Sequence, residues 1–115
     1  MVKVLFAASE AVPFIKTGGL ADVMGALPKA LASKGMDVRL VIPKYSQIAD
    51  SFRAQMKPVT HGIVNLAWRQ LYYGVEEIDW NGIKVYFIDN EWYFKRDRLY
   101  GFDDDAERFA YFCRA

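Results

Sequence analysis

The 115 residues are 53% hydrophobic and 25% charged, which suits one domain or part of a larger one and excludes a disordered chain. A formal net charge of +1 gives no field to draw the protein to nucleic acid or to an anionic membrane, so neither is expected as a partner. The single cysteine, Cys113, excludes an internal disulfide framework, and no Cys/His spacing suggests zinc.

Residues 2–8 form a short, nearly continuous apolar run, the pattern of a parallel strand buried on both faces. The run is too short to span a membrane, and it lacks the layout of a signal peptide or a plastid transit segment. A cytoplasmic, bacterial protein is therefore expected. Residues 9–19 read as a loop holding Pro13 and Gly18-Gly19. A helix is predicted over 20–34, where Leu20, Val23, Leu27, Ala30 and Leu31 recur at helical spacing and Gly35 is a natural stop. Pro28 lies inside it and predicts a kink. Residues 37–43 read as a second buried strand. Strand, helix and strand predict adjacent parallel strands joined by a right-handed crossover.

Residues 45–56 are expected to be irregular or a short helix. Residues 59–67, 69–79 and 83–88 are rich in Val, Ile, Tyr and Trp, and Asn81-Gly82 is a strong two-residue hairpin signal. This stretch predicts an antiparallel excursion that returns to the sheet. Residues 89–100 are an aromatic, charged loop with room for one helical turn. Asp103-Asp104-Asp105 then marks the start of a helix over 106–115. Phe109, Phe112 and Cys113 would share one of its faces, with Cys113 a small buried residue. No stop signal precedes Ala115, which is read as a truncation. A sheet edge and a helix face would then lie uncovered, with Phe109 and Phe112 exposed or paired with another chain, and self-association would follow.

The chemistry concentrates between the first strand and the first helix. Ligands of open α/β sheets bind beyond the carboxyl ends of the strands. Gly18-Gly19 lets an anion approach backbone N–H groups, and the helix start adds partial positive charge. Lys16 adds a full charge two residues earlier. Together these suit a diphosphate. The pattern is neither a Walker A loop nor Gly-x-Gly-x-x-Gly. On the residues alone, a tight turn beside a solvated lysine explains the segment equally well. Asp22 reads equally as a helix-start acid. Glu10 has the competing reading of a solvated loop acid. His61 is a lone histidine on a strand, without a catalytic role.

Lys16-Thr17-Gly18-Gly19-Leu20-Ala21-Asp22-Val23 resembles the Lys-Thr-Gly-Gly-Leu loop of bacterial glycogen synthases and plant starch synthases. Ser9-Glu10 and Pro13 before it agree, as do Gly25-Ala26-Leu27-Pro28, Pro43-Lys44-Tyr45, Asp89-Asn90, Tyr93-Phe94, Leu99-Tyr100-Gly101 and Ala106-Glu107-Arg108-Phe109. Between residues 59 and 80 only strand-like character matches. The resemblance implies an α/β fold: a partial Rossmann-like parallel sheet with a β-hairpin excursion. It would be part of the amino-terminal domain of a two-domain, GT-B type glycosyltransferase. Residues 1–115 would be an incomplete version of that domain, with its remainder and the second domain absent.

The implied reaction moves glucose, with retention, from ADP-glucose to the non-reducing end of an α-1,4-glucan. No cofactor is implied; ADP-glucose is the donor substrate. By resemblance, Lys16 and the Gly18-Gly19 backbone would hold the phosphates, and Glu10 and Asp22 would sit near the transferred glucose or the acceptor. Asn90 and Tyr93 are candidates for sugar contact, in an aromatic set with Phe94 and Tyr100. The alternative, favoured for the set as a whole, is that these rings pack under the long loop. No catalytic residue is assigned, since the family's donor-binding carboxylates, Arg and Lys lie mainly in the second domain. The competing functional reading is a stand-alone nucleotide- or phosphate-binding module.

Overall fold

A computed structural model describes residues 2–115. Nine elements follow in order: β1 (Lys3–Ala7), α1 (Gly19–Ala32), β2 (Asp37–Pro43), α2 (Asp50–Arg53), β3 (Lys57–Leu66), β4 (Arg69–Trp80), β5 (Ile83–Asp89), α3 (Glu91–Phe94) and α4 (Asp105–Arg114). The strands form one sheet in the order β1-β2-β5-β4-β3. β1 and β2 are adjacent and parallel, from Lys3↔Asp37 to Ala7↔Val41, as the two apolar runs predict. β5 then returns parallel to β2, while β3-β4 and β4-β5 are antiparallel.

The excursion is closed by two tight turns. Trp80 pairs with Ile83 across Asn81-Gly82, whose φ angles of 50° and 82° are the left-handed pair that a type I′ turn requires. Leu66 pairs with Arg69 across Ala67 and Trp68, and Ala67 is also left-handed at φ 54°. The first turn is legible because Asn-Gly accepts that geometry; the second is not, because Ala resists it.

One face of the sheet carries the core. Leu40 and Ile42 of β2 and Val85 and Phe87 of β5 are buried with Phe14, Tyr45, Ile48 and Ile78. The other face is largely open. Leu5, Ala7, Val41, Val75, Tyr86, Ile88 and Phe112 line an apolar groove of about 710 Å3 there. The expectation that β1 is buried on both faces is therefore corrected. β1 is an edge strand, and Leu5 is 62% exposed on the open face of the sheet.

α1 also turns differently from its apolar stripe. Leu20, Val23 and Leu27 are 45%, 49% and 41% exposed, whereas Ala21 and Pro28 are buried. Small side chains win the inward face because they let the helix axis come close: a Cβ on Gly25 would stand 2.1 Å from Val12 Cγ2. In α4 the expected face is likewise rotated. Arg108 and Tyr111 are the buried residues; Phe109 and Phe112 are half-buried, and Cys113 is exposed rather than buried. No helix among the described residues is long and apolar enough to cross a membrane.

Arg108 organises the carboxyl-terminal part. It is fully buried and donates to the carbonyls of Tyr93 (2.7 Å) and Leu99 (2.7 Å) and to Asp105 Oδ1 (2.9 Å). Its guanidinium lies 4.9 Å from the Phe102 ring centroid and 5.3 Å from that of Phe109. Arg108→Ala leaves two buried carbonyls without donors and opens a cavity. It should cost about 3 kcal/mol or more in chemical denaturation. A loss below about 0.5 kcal/mol would show that the aromatic shell holds the loop without it.

Candidate functional site

The loop between β1 and α1 is pinned from below by apolar anchors. Phe14 is buried and packs edge-on against Phe52, Trp80 and Phe87, with centroids 4.9, 5.7 and 5.3 Å away. Ala11 is fully buried and accepts from the N–H groups of Phe14 and Ile15. Val12 N–H donates to Ala21 O at 3.0 Å, tying the loop to the helix it precedes. Lys16, Thr17, Gly18 and Gly19 are thereby held at the surface, just past the carboxyl end of β1.

Glu10 is the centre of the arrangement, and it is not a solvated loop acid. It is 2% exposed. Its Oε1 accepts from the backbone N–H groups of Thr17 (3.2 Å) and Gly18 (2.9 Å). Its Oε2 accepts from Thr17 Oγ1 (2.5 Å) and Tyr100 Oη (2.6 Å). Tyr100 Oη also bonds Ser9 Oγ at 2.7 Å, and Tyr45 Oη donates to Ser9 O at 2.7 Å. Burial pushes the Glu10 carboxyl up, but the bonds from Thr17, Tyr100 and the two amides outweigh it and leave its pKa below the ordinary value. Burial, then the bond to Glu10, pushes the Tyr100 hydroxyl up to about 12.

Gly18 therefore turns its N–H inward. Gly19 and Leu20 remain as N–H groups at the start of α1, with no acceptor among the described residues and no side-chain cap. Gly18 has an extended φ of −163°, and neither it nor Gly19 has positive φ. A Cβ built on either would meet nothing within 4 Å. Nothing inside the chain demands glycine at these two positions.

Lys16 Nζ lies 2.9 Å from Asp22 Oδ1, with both side chains more than half exposed. An exposed pair of this kind is worth about 0.2–1 kcal/mol. Asn90 and Tyr93 do different work. Asn90 caps α3 by accepting from Tyr93 N–H (3.2 Å) and donates to Tyr72 O (3.0 Å). Tyr93 is fully buried, 4.9 Å from the Tyr111 ring, and donates to Glu107 Oε2 at 3.0 Å. Its ring offers no face to a sugar, and the loop packs over these rings. His61 is exposed on β3 beside Tyr72. Among the described residues no group of three or more His, Cys, Asp or Glu comes together to hold a metal ion. The large apolar groove is lined by none of the loop residues.

Sequence reasoning missed what Thr17, Tyr100 and Phe14 do. Thr17 stood in a matched motif without an assigned role; Tyr100 was weighed only with the aromatic set, for sugar contact or packing, and nothing local links it to Glu10, 90 residues away. Phe14 carried a weak signal, as the lone aromatic in a glycine-containing loop.

Sheet, crossover and loop together define an α/β domain with an exposed, uncapped helix start beyond a parallel strand. Residues 3–115 match the starch synthase catalytic domain family, and the chain belongs to it. It is 63% identical over 114 residues to a glycogen synthase of Desulforamulus reducens and 59% identical to one of Geobacillus thermodenitrificans. Each alignment covers 99% of this chain and 24% of the relative. The fold is similar to the catalytic domain of starch synthase IV from Arabidopsis thaliana bound to ADP and acarbose, with a TM-score of 0.83 and 30% identity. That match covers 98% of this chain and 24% of the other. The chain thus spans about a quarter of the length of these relatives.

Two measurements check this geometry. Carboxyl NMR titration of Glu10 should show a midpoint below 4.5, the ordinary value. With the folded pKa below the unfolded one, the carboxylate's stabilising contribution is complete above the unfolded value and lost as pH falls through the folded one. A midpoint at or above 4.5 would mean that the bonds to Thr17, Gly18 and Tyr100 do not hold in solution. Gly25→Ala must push the helix off Val12 and should cost about 1–3 kcal/mol of stability. A thermal midpoint equal to wild type would contradict the close contact.

Proposed function

We propose that the loop from Lys16 to Leu20 binds the diphosphate of ADP-glucose. On this reading the full-length protein transfers glucose, with retention, to the non-reducing end of an α-1,4-glucan. The observation that carries it is the glycine pair. Gly18 and Gly19 are free of internal steric demand, yet they stand at an uncapped helix start beside Lys16. Glycine there leaves room for something outside the chain. Membership of the starch synthase catalytic domain family supports a nucleotide sugar as the ligand, and the ADP in the Arabidopsis structure is in keeping with it.

The energetics favour exchange. A charge-assisted contact to phosphate is worth about 1.5–3 kcal/mol, against about 0.2–1 for the exposed Lys16–Asp22 pair. Phosphate therefore displaces Asp22 from Lys16, and the Gly19 and Leu20 N–H groups add hydrogen bonds along the helix axis. Asp22, released, is available to a sugar hydroxyl at the same opening. These residues supply one wall of the site, and the 115-residue chain alone is inactive. A cytoplasmic setting belongs to the same proposal.

Steady-state kinetics of a full-length synthase bearing these residues tests the reading. Lys16→Ala should lower kcat/KM for ADP-glucose by about ten- to a hundredfold, and Lys16→Arg should recover part of it. An unchanged donor KM and kcat in Lys16→Ala would remove the lysine from the site. Gly18→Ala should leave stability within about 0.5 kcal/mol of wild type while raising the donor KM about tenfold. Loss of stability without loss of donor use would mean that the glycines serve the fold. Glucosyl transfer by the purified 115-residue chain would overturn the assignment of the chemistry to the rest of the protein.

A further inference from the structure

We infer that Glu10 and Tyr100 are positioning residues that hold the phosphate loop in its binding shape and touch no substrate through the Glu10 carboxylate. The inference rests on the diphosphate reading of that loop. It departs from the expectation that Glu10 sits against the glucose or the acceptor.

The carboxylate is saturated. Each oxygen already accepts two hydrogen bonds, from two amides on one side and two hydroxyls on the other. At 2% exposure no lone pair is left facing the opening for a sugar hydroxyl. What Glu10 does instead is fix Thr17 and Gly18. Two consecutive N–H groups pointing inward to one oxygen set the direction in which the next two, Gly19 and Leu20, point outward. Lys16 is the neighbour of this anchored pair, so its Cα is fixed by the same bonds.

Tyr100 connects the loop to a distant part of the chain. Its hydroxyl bridges Glu10 Oε2 and Ser9 Oγ, and its backbone carbonyl accepts from Arg98 Nε at 3.0 Å. Leu99, next to it, is buried and accepts from Arg108. The segment 96–102 is thus a rigid strut, and its geometry passes through one phenol to the phosphate loop. A change within that segment would alter donor affinity without any contact to the donor.

The distinction from a substrate-touching acid lies in the amide. Gln at position 10 keeps an oxygen for the Thr17 and Gly18 amides, and its NH2 can donate to the Thr17 and Tyr100 hydroxyls, which then reverse their own bonds. A positioning role survives loss of charge; a charge–substrate contact does not. The test uses the full-length synthase with Glu10→Ala, Glu10→Gln, Tyr100→Phe and Thr17→Val. It reads donor and acceptor KM separately, together with hydrogen exchange at the Thr17 and Gly18 amides.

Expected in Glu10→Ala are faster exchange at those two amides, unchanged protection in the middle of α1, and a donor KM raised about tenfold with acceptor KM unaltered. Tyr100→Phe and Thr17→Val should show the same signature at about three- to fivefold. Glu10→Gln should recover most of what Glu10→Ala loses. The inference is overturned if Glu10→Gln is as impaired as Glu10→Ala, if the loss falls on the acceptor KM, or if loop exchange is unchanged in Glu10→Ala. Unchanged donor KM and kcat in both Lys16→Ala and Gly18→Ala sink the phosphate reading by themselves, while unchanged loop exchange in Glu10→Ala sinks the clamp by itself.

Discussion

A carboxylate withdrawn from water must find its hydrogen bonds inside the protein, and Glu10 finds four. That requirement ties the end of the β1 segment and the nearby glycine loop to the segment before α4, 90 residues away in sequence. Without the loop amides and Tyr100, Glu10 would be an unsatisfied buried charge. Without Glu10, the Thr17 and Gly18 amides would have no inward acceptor. Lys16, Gly19 and Leu20 are the outer side of this buried knot, which explains how a loop of exposed residues keeps one shape.

The aromatic half of the chain supports the same construction from the other end. Arg108, with no exposed surface, gathers the carbonyls of Tyr93 and Leu99 and lies among the rings of Phe94, Phe102 and Phe109. Arg96 adds a two-bond pair to Asp104, at 2.6 and 2.9 Å, and stands 5.0 Å from the Phe102 centroid. Phe94, Phe102 and Phe109 thus hold an irregular segment around two arginines. Tyr93, a candidate for sugar contact, is part of that packing, and Asn90 gives both ends of its amide to the backbone.

What could be read beforehand was whatever is encoded locally. Asn81-Gly82 announces its turn because few other pairs accept two left-handed residues, and the apolar runs of β1 and β2 announce a parallel pair, while the parallel return of β5 beside β2 was not announced. The face of α1 was misread because Ala21 and Gly25 carry little hydrophobic weight; they are inward because they are small, a reason of shape that periodicity does not record. Cys113 was misplaced because the side of α4 facing the core was decided by Arg108 and Tyr111, residues that polarity alone would put outside. Glu10 was visible as a residue and hidden as a function, since its partners are defined only once Tyr100 has been brought back across the sheet. The glycine pair could be set apart from a plain tight turn only through family resemblance; its lack of any internal demand for glycine is a fact of three dimensions.

The strand order carries a kinetic consequence. β3, β4 and β5 are joined by two-residue turns, so their pairings close short loops, whereas Arg39 must find Lys84 across the whole meander before β2 can dock. Local closure favours the meander as the part that forms early, with β5 as the template on which β2 and then β1 assemble. The glycine loop follows β1, and Glu10 needs Tyr100, which follows β5. The corner around Glu10 is therefore among the last parts of this chain to reach its native form, and the edge strand beside it is the first place where incomplete folding would show.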